Sequence, residues 1–387
     1  MKILLINDHG TMTGGAEKIL FETKRLLEEE NHEVRILTAE KERNSQLTRW
    51  YSKYYYNKAK EIIEEFKPDL VHVHNCTRAI SPSPILAAKK KGVPILMTVH
   101  DFGLYCPKTW AIYEDGKPCQ FGFSSKCLTS KCKASIEGIK AYPYHLMKWT
   151  KIGIHREILQ KNVDLFLCPS QTLTEYMKRT FPKSNIQYLQ NFCDIKNELT
   201  NKEEKERKDF LFVGRLNKEK GITTLLLALS ELLKEYPKTK LKIAGEGEEK
   251  ENILTLAKKL NIEKNLIFIG RVNPKELNLH YSQALAVIVP SIWMEAFGLV
   301  TIESLRNKTP AIVNDVGGLA DLAEEFEHIT KYTYNDKEEL KEKMKEALNQ
   351  KKSSSKEWEK DMKTLQKYSE ENYKQSLLEV YSSLLQE

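Results

Sequence analysis

The feature that most constrains the fold of this chain is a repeated alternation of short apolar runs with amphipathic stretches. The first run, KILLIN (2–7), is followed by a Gly-Gly turn and then by the helical pattern EKILFETKRLLEEEN. Strand patterns that alternate with helical patterns predict βαβ units and a parallel sheet. We therefore expect an α/β protein with a doubly wound architecture.

The alternation occurs in two rounds, separated by the charged segment IKNELTNKEEKERKD (195–209), which has no apolar periodicity. A chain of 387 residues is too long for one small core, and two domains are the default expectation. We predict domains over 1–196 and 197–366, followed by a closing helix over 367–387. That helix places four apolar or aromatic side chains on one face, which must pack on something: Tyr373, Leu377, Tyr381 and Leu384.

Composition indicates a soluble protein, with 41% hydrophobic and 30% charged residues. The start MKILLIN has too few apolar residues before Asp8 for a signal peptide. No run approaches the roughly 18 apolar residues of a membrane span. We expect a cytoplasmic protein.

The net charge of +7 is concentrated in 126–161, which carries eight Lys or Arg residues against two Glu and several aromatic residues. Basic residues interleaved with aromatic rings suit an anionic membrane surface, so a peripheral contact with the inner face of the membrane is one interpretation. Nucleic-acid binding is a second interpretation, which we do not adopt for the function. An ordinary solvated face is the third.

Two motifs in the second round point to chemistry. In GRLNKEKG (214–221), Gly214 permits a tight exit from the preceding strand, and Arg215 and Lys220 are two cations suited to a diphosphate. Solvated loop charges are the alternative. In MEAFGLVTIE (294–303), a glycine turn lies before a predicted helix, whose free amides and dipole favour an anion.

Two glutamates flank this helix start. Glu295 precedes the turn, and Glu303 lies about 7 Å along the helix axis at ~1.5 Å per residue. Because a carboxylate accepts two hydrogen bonds at once, each suits a vicinal diol. A nucleotide sugar has a matching order of groups, with a sugar diol, a diphosphate and a ribose diol. The simpler interpretation is that the two glutamates are ordinary surface charges.

With these motifs in place, the sequence resembles the family 4 glycosyltransferases, retaining enzymes of the two-domain GT-B fold. The resemblance covers essentially the whole chain. It rests on GGAE (14–17), His100-Asp101, GRLNKEKG, the Glu-x7-Glu spacing of PSIWMEAFGLVTIE, and VGGLAD (316–321). It implies two Rossmann-like domains that face a central cleft, with the acceptor bound by the first domain and the nucleotide sugar by the second. The final helix would cross back to the N-terminal domain.

The resemblance also implies roles for individual residues. Arg215 and Lys220 would neutralise the leaving diphosphate, Glu303 would bind the ribose, and Glu295 would hold a hydroxyl of the donor sugar. His100 would lie near the reacting sugar. The remaining donor contacts would come from Gly14, Gly15, Gly214, Ala296, Phe297, Gly298 and Leu299.

No Asp-x-Asp motif is present where a metal would hold the diphosphate, so we expect catalysis without a cofactor. The expected reaction transfers a sugar from a UDP- or GDP-sugar to a lipid-linked or polysaccharide acceptor in cell-surface glycan synthesis, such as lipopolysaccharide or capsule. The alternatives are a nucleotide-sugar epimerase on the same fold and a basic membrane-binding protein without activity. A nicotinamide dehydrogenase is disfavoured because no G-x-G-x-x-G follows the first strand.

Four of the seven cysteines cluster in a predicted insertion at about 104–134: Cys106, Cys119, Cys127 and Cys132. Four thiolates suit tetrahedral zinc, although the cluster lacks a C-x2-C pair. A structural zinc, free thiols and disulfides are all compatible with this pattern, and disulfides are rare in the cytoplasm.

Overall fold

The computed structural model describes residues 1–12, 14–40, 50–113, 117–120, 122–129, 142–195, 207–350 and 356–386. These residues form two compact units. Unit 1 comprises 1–192 and 370–387, and unit 2 comprises 193–369. The predicted boundaries, after 196 and 366, lie within four residues of these divisions.

Unit 1 contains a six-stranded parallel sheet in the order β2-β1-β3-β4-β5-β6. Its strands are β1 (Lys2–Asn7), β2 (Glu33–Thr38), β3 (Leu70–Val73), β4 (Ile95–Thr98), β5 (Leu165–Cys168) and β6 (Ile186–Tyr188). Its helices before residue 192 are α1 (Gly15–Glu29), α2 (Lys53–Phe66), α3 (Ser83–Lys90), α4 (Lys126–Thr129), α5 (Tyr142–Asn162) and α6 (Gln171–Thr180).

Unit 2 contains a second six-stranded parallel sheet, in the order β12-β11-β10-β7-β8-β9. Its strands are β7 (Asp209–Val213), β8 (Leu241–Ala244), β9 (Leu266–Gly270), β10 (Ala284–Val289), β11 (Ala311–Asn314) and β12 (Ile329–Tyr332). Its helices are α7 (Ile222–Leu232), α8 (Lys250–Leu260), α9 (Pro274–Gln283), α10 (Leu299–Arg306), α11 (Gly317–Glu325), α12 (Lys337–Asn349) and α13 (Trp358–Leu365).

The chain ends with α14 (Glu370–Gln386), which belongs to unit 1. The four side chains predicted to share one face are its buried residues. Tyr373 stacks on Phe192 with ring centroids 4.1 Å apart, and its hydroxyl lies 3.2 Å from Thr23 Oγ1. At the start of the helix, Arg25 of α1 donates to Glu370 over 2.6 Å. The closing helix thus completes the core of unit 1.

Both sheets reverse their strand order at an internal point. In unit 2 this point lies between β7 and β10, which pair in parallel although two strands, β8 and β9, separate them along the chain. In unit 1 it lies between β1 and β3. In doubly wound sheets, ligands bind outside the carboxyl ends of the strands at such a switch point. The loops that follow β7 and β10 are therefore the first place to look for a site in unit 2.

All ten strands predicted from the apolar runs are present; β1 has the predicted bounds, and most of the others are shorter than their runs. Two edge strands, β6 and β12, were not predicted. The segment 196–206, within the predicted linker, lies outside the described residues. Within the part of the chain that the structure describes, none of the helices has the length and apolar content needed to cross a bilayer.

Candidate functional site

Two loops of unit 2 bring together a cation and a carboxylate at the switch point. After β7, the chain forms a 3₁₀ turn over Lys218–Lys220 and then begins α7. After β10, it passes through Ser291 to Glu295. Lys220 Nζ donates to Glu295 Oε1 over 2.6 Å, and Ser291 Oγ donates to the same oxygen over 2.6 Å. The loops are also joined through the backbone, because Ile292 N donates to Glu219 O over 2.9 Å.

The Glu295 carboxylate is largely shielded from solvent, with 12% of its side chain exposed. Burial alone raises the pKa of Glu295, but the Lys220 ammonium and the hydrogen bonds from Lys220 and Ser291 lower it more strongly, so its net pKa is below the usual value. Glu295 is therefore held as an anion. Its Oε1 atom already accepts two hydrogen bonds, so its second oxygen is the natural acceptor for a ligand hydroxyl.

The backbone of Glu295 is held by a glycine pair that starts α11. Gly318 N donates to Glu295 O over 2.7 Å. Gly317 has a left-handed φ of 53°, and a Cβ atom there would lie only 2.3 Å from Glu295 O. A side chain at 317 is excluded both by backbone strain and by this contact. The sequence motif VGGLAD therefore serves to position Glu295.

The predicted glycine turn is present, and α10 begins at Leu299 as expected. Gly298 is its N-cap, with a φ of 114°, and a Cβ atom there would come within 2.6 Å of the Leu319 side chain. The first amides of a helix have no acceptor within the helix, so the start of α10 offers donors to an anion. Phe297 is buried and faces the Tyr368 ring, with centroids 5.7 Å apart, so it anchors the turn in the core. Ala296 and Leu299 are partly exposed beside it.

Glu303 lies inside α10 and is 9% exposed. Tyr281 of α9, which is fully buried, donates its hydroxyl to Glu303 Oε2 over 2.8 Å. Sequence reasoning missed Tyr281, because its contact depends on the packing of α9 on α10. A tyrosine three residues before a strand carries no motif signal of its own.

Arg215 and Gly214 directly follow β7, and the Arg215 side chain is exposed. Among the residues that the structure describes, the Arg215 guanidinium has no ion-pair or hydrogen-bond partner. Lys220 also lies 5.3 Å from the centroid of the Trp293 ring. The structure thus brings Lys220 to Glu295, while it leaves Arg215 at the surface of unit 2.

In unit 1, His100 lies two residues beyond β4 and is partly exposed. Its Nε2 atom lies 2.9 Å from Nδ1 of His74, which follows β3 directly. Burial lowers the pKa of His100 to about 4, against a smaller opposite effect of Asp101. Asp101 does not bind the His100 ring: its oxygens accept from Gly103 N over 2.7 Å and from Arg78 over 2.5 Å. The sequence drew attention to His100 and Asp101 but not to His74.

The other predicted unit 1 contacts are at the start of α1, where Gly14 is the extended N-cap and Gly15 is the first helical residue. The predicted cysteine site is only partly described, because Cys132 lies outside the described residues. Cys119 Sγ contacts the Tyr113 hydroxyl at 3.5 Å, and Cys127 Sγ contacts Gly122 O at 3.2 Å. No group of three or more potential metal ligands occurs among the residues described. Zinc binding therefore stays a prediction, measurable as the metal content of untagged protein.

Comparison with known proteins places this geometry in a family. The model of Glycosyltransferase Family 4 matches residues 13–197, and that of Glycosyl transferases group 1 matches residues 195–370. The chain belongs to glycosyltransferase family 4. The two models meet at the division between the two units, and the second contains the loops of the Lys220–Glu295 pair.

Individual relatives match this family 4 chain either over a short part of its length or at low sequence identity. An uncharacterized glycosyltransferase of Methanocaldococcus jannaschii is 37% identical over 30% of each chain. The alpha-monoglucosyldiacylglycerol synthase of Streptococcus pneumoniae is 24% identical over 67% of this chain and 54% of its own length. The match to the first relative thus spans less than a third of that protein.

Structural similarity extends over the whole chain. HepE of Anabaena, solved in complex with UDP-glucose, superposes with a TM-score of 0.72 at 17% identity and covers 99% of this chain and 100% of its own. At this identity the likeness establishes the fold, which is the GT-B fold with two parallel sheets. The predicted fold class is confirmed.

Proposed function

We propose that the protein is a retaining glycosyltransferase that moves a sugar from a UDP- or GDP-sugar to a lipid-linked or polysaccharide acceptor. Cell-surface glycans such as lipopolysaccharide or capsule are the expected products. The observation that carries this proposal is the Lys220–Glu295 pair beside the start of α10, at the switch point of a parallel sheet. This arrangement offers a cation, free helix amides and an oriented carboxylate within one pair of loops.

Each group meets one part of the donor. Lys220, Arg215 and the amides at the start of α10 bind the diphosphate and stabilise the charge that develops as it leaves. Glu295 accepts hydrogen bonds from hydroxyls of the transferred sugar, and Glu303 accepts those of the ribose. Since Lys220 and Arg215 neutralise the charge of the departing diphosphate, we expect no requirement for a divalent metal.

The bond changes follow from a front-face transfer. The bond between the anomeric carbon and the phosphate oxygen breaks, and a bond from the acceptor hydroxyl oxygen to the same face of that carbon forms. The proton of the acceptor hydroxyl passes to an oxygen of the departing diphosphate. Configuration at the anomeric carbon is thereby retained.

Two comparisons support the choice of substrates. HepE was solved with UDP-glucose, which supports a nucleotide-sugar donor. The pneumococcal relative is named for a glycolipid product, which supports a lipid acceptor. Both proteins are distant, so neither specifies the sugar of this chain. We do not retain the epimerase hypothesis, because the comparisons give it no support.

Helix α5 supports a contact of unit 1 with a lipid surface. Three of its apolar side chains are exposed: Leu146 (40%), Met147 (39%) and Ile154 (46%). At about 100° per residue they lie within one ~100° sector of the helix. Two cations of this helix are engaged by backbone carbonyls of unit 1, since Lys151 donates to Thr77 O and Arg156 donates to Leu104 O. The proposed contact is therefore chiefly apolar.

The proposal is tested by incubating purified protein with a panel of nucleotide sugars, with and without glycolipid and oligosaccharide acceptors, and measuring released nucleotide. We expect release that depends on acceptor, persists in EDTA, and yields a product with the donor's anomeric configuration by NMR. Release without any acceptor-derived product, or an inverted product, would contradict the transferase or the retaining assignment respectively.

The lipid contact is tested separately by vesicle sedimentation. Leu146→Ser with Ile154→Ser should reduce binding to both neutral and anionic vesicles. Leu279→Ser is the matched control, because Leu279 is 49% exposed in unit 2. Equal loss in the control, or no loss in the double variant, would contradict the contact through α5.

A further inference from the structure

Three histidines form a connected group at the carboxyl ends of β3 and β4 in unit 1. His72 is fully buried, and both its ring nitrogens have hydroxyl partners at 2.7 Å: Tyr381 bonds to Nδ1 and Thr98 to Nε2. The His74 ring stacks on His72 with centroids 4.4 Å apart. His74 in turn contacts His100 through the 2.9 Å nitrogen–nitrogen hydrogen bond.

The geometry of the His74–His100 pair is that of a directed hydrogen bond. The two ring planes are inclined by only 13°, and the centroids lie 5.1 Å apart. This separation exceeds the nitrogen–nitrogen distance by about one ring width, so the rings meet edge to edge in nearly one plane. Such an arrangement points the N–H of one ring at the in-plane lone pair of the other.

The buried nitrogens of His74 decide which ring donates. His74 is completely buried, and its Nε2 atom has no hydrogen-bond partner among the described residues. If Nε2 carried the proton, a buried N–H donor would be left without an acceptor, which proteins rarely tolerate. A proton on Nδ1 avoids this, since it is donated to His100 Nε2 and leaves only a lone pair unpaired.

We propose that His74 is a positioning residue for His100: its Nδ1–H bonds to His100 Nε2 and so fixes His100 as the neutral tautomer protonated on Nδ1. The partner of one ring nitrogen determines the state of the other. The partly exposed His100 ring then presents an N–H donor, whose ligand is an oxygen atom such as a sugar hydroxyl. The identity of that ligand rests on the proposed function; the tautomer does not.

This arrangement distinguishes two uses of His100. With its Nε2 lone pair occupied by His74 and its proton on Nδ1, the ring can donate to a substrate oxygen but cannot accept a proton from the acceptor. His100 thus acts as a hydrogen-bond donor to its ligand and is not the general base. The stack on His72, whose nitrogens are both engaged, holds the His74 ring in the plane that this bond needs.

The test is nitrogen-15 NMR of the full-length protein with labelled histidine, recorded without substrate at neutral pH. His74 and His100 are assigned among the nine histidines from their substituted variants. We expect a protonated Nδ1 and an unprotonated Nε2 for both rings. A His100 resonance with the proton on Nε2, or an average of the two tautomers, would overturn the proposal.

Matched variants separate positioning from packing. In His74→Asn the side-chain amide still reaches the donor position, so the His100 tautomer should persist; in His74→Leu it should become averaged. Tyr373→Phe, which removes a buried hydroxyl of α14 that bonds to Thr23 and, among the described residues, to no histidine, is the control and should leave His100 unchanged. An unchanged His100 spectrum in folded His74→Leu would refute the role of His74.

Kinetics provide an independent check once a donor is known. His74→Leu should lower kcat by roughly three- to tenfold, the effect of losing one hydrogen bond, and His74→Asn should restore most of it. If the NMR result is as expected but no transfer is found, the positioning role stands and the proposed function fails. If transfer is found but His100 has the other tautomer, the proposed function stands and the positioning role of His74 fails.

Discussion

Lys220 Nζ and Glu295 Oε1 lie 2.6 Å apart although 75 residues separate them along the chain. The pair joins the loops after two adjacent strands, β7 and β10. The pair therefore has two roles to separate: it belongs to the proposed diphosphate site, and it holds two loops of unit 2 together. Substitutions that distinguish these two aspects are the most informative.

Lys220→Met should lower kcat by about 10²–10³-fold, the range for removing one preorganised charge-stabilising donor. Thermal unfolding of the same variant checks that the fold persists. Lys218→Met is the matched control, since Lys218 is exposed in the same 3₁₀ turn, and it should leave kcat unchanged. Near-normal turnover in Lys220→Met would contradict the diphosphate assignment.

The same substitution should change the pH dependence of stability. In the native protein the pKa of Glu295 is lowered. The Glu295 carboxylate therefore adds to the free energy of unfolding above the usual glutamate range, and this stabilisation is lost as pH falls through the lowered pKa. In Lys220→Met burial dominates and the pKa rises, so stability should instead decrease as pH rises through that range. Urea unfolding of both proteins between pH 4 and 7 measures the change, and parallel curves would contradict it.

Tyr281→Phe removes the hydroxyl that binds Glu303 and should lower the free energy of unfolding by about 1 kcal/mol. Because Glu303 is proposed to bind the ribose, KM for the donor should rise several-fold while kcat changes little. Tyr236→Phe is the control, since its hydroxyl pairs with Asn349 in an exposed position. An unaltered donor KM would contradict a role of Tyr281 in ribose binding.

Gly317→Ala should disturb Glu295, because the added Cβ would meet the Glu295 carbonyl at 2.3 Å. We expect a loss of about 2 kcal/mol or more in stability together with reduced donor binding. Gly92→Ala measures the cost of the left-handed backbone alone, since Gly92 has a similar φ of 69° but open space around it. If the two variants lost the same stability and donor binding were intact, the contact with Glu295 would be unimportant.

Acid should destabilise unit 1 through the buried His72 and the partly buried His100. Burial lowers the pKa of His72 to about 3 and that of His100 to about 4, from an ordinary value of 6.5. The unfolded chain therefore binds protons that the folded chain does not, and stability falls as pH decreases from about 6.5 towards 4. His100→Asn should flatten this dependence in urea unfolding, and an identical slope would contradict the assignment.

The strands with continuous apolar runs could be predicted from the sequence because burial on both faces leaves an unbroken pattern. The edge strands β6 and β12 could not, since they are short and include polar residues such as Gln187 and Lys331. A short strand with polar residues is recognised by its pairing with a neighbour, which is a long-range property.

The same distinction applies to the site. Lys220, Glu295 and the turn at Gly298 belong to local motifs and were predicted together. Tyr281 and His74 were not, because each acts through one hydrogen bond to a residue on another element. Sequence spacing carries no information about such contacts, since they depend on how the elements pack.

The return of α14 to unit 1 has a consequence for the connectivity of the molecule. Unit 2 is a single uninterrupted segment inserted into unit 1, and its two ends are adjacent: Cys193 N donates to Tyr368 O over 3.0 Å, and Cys193 pairs with Ser369 as a parallel bridge. A segment with neighbouring ends can be exchanged between homologues as one cassette without rerouting the host chain. If unit 2 binds the donor as we propose, such an exchange would change the donor while unit 1 stays the same.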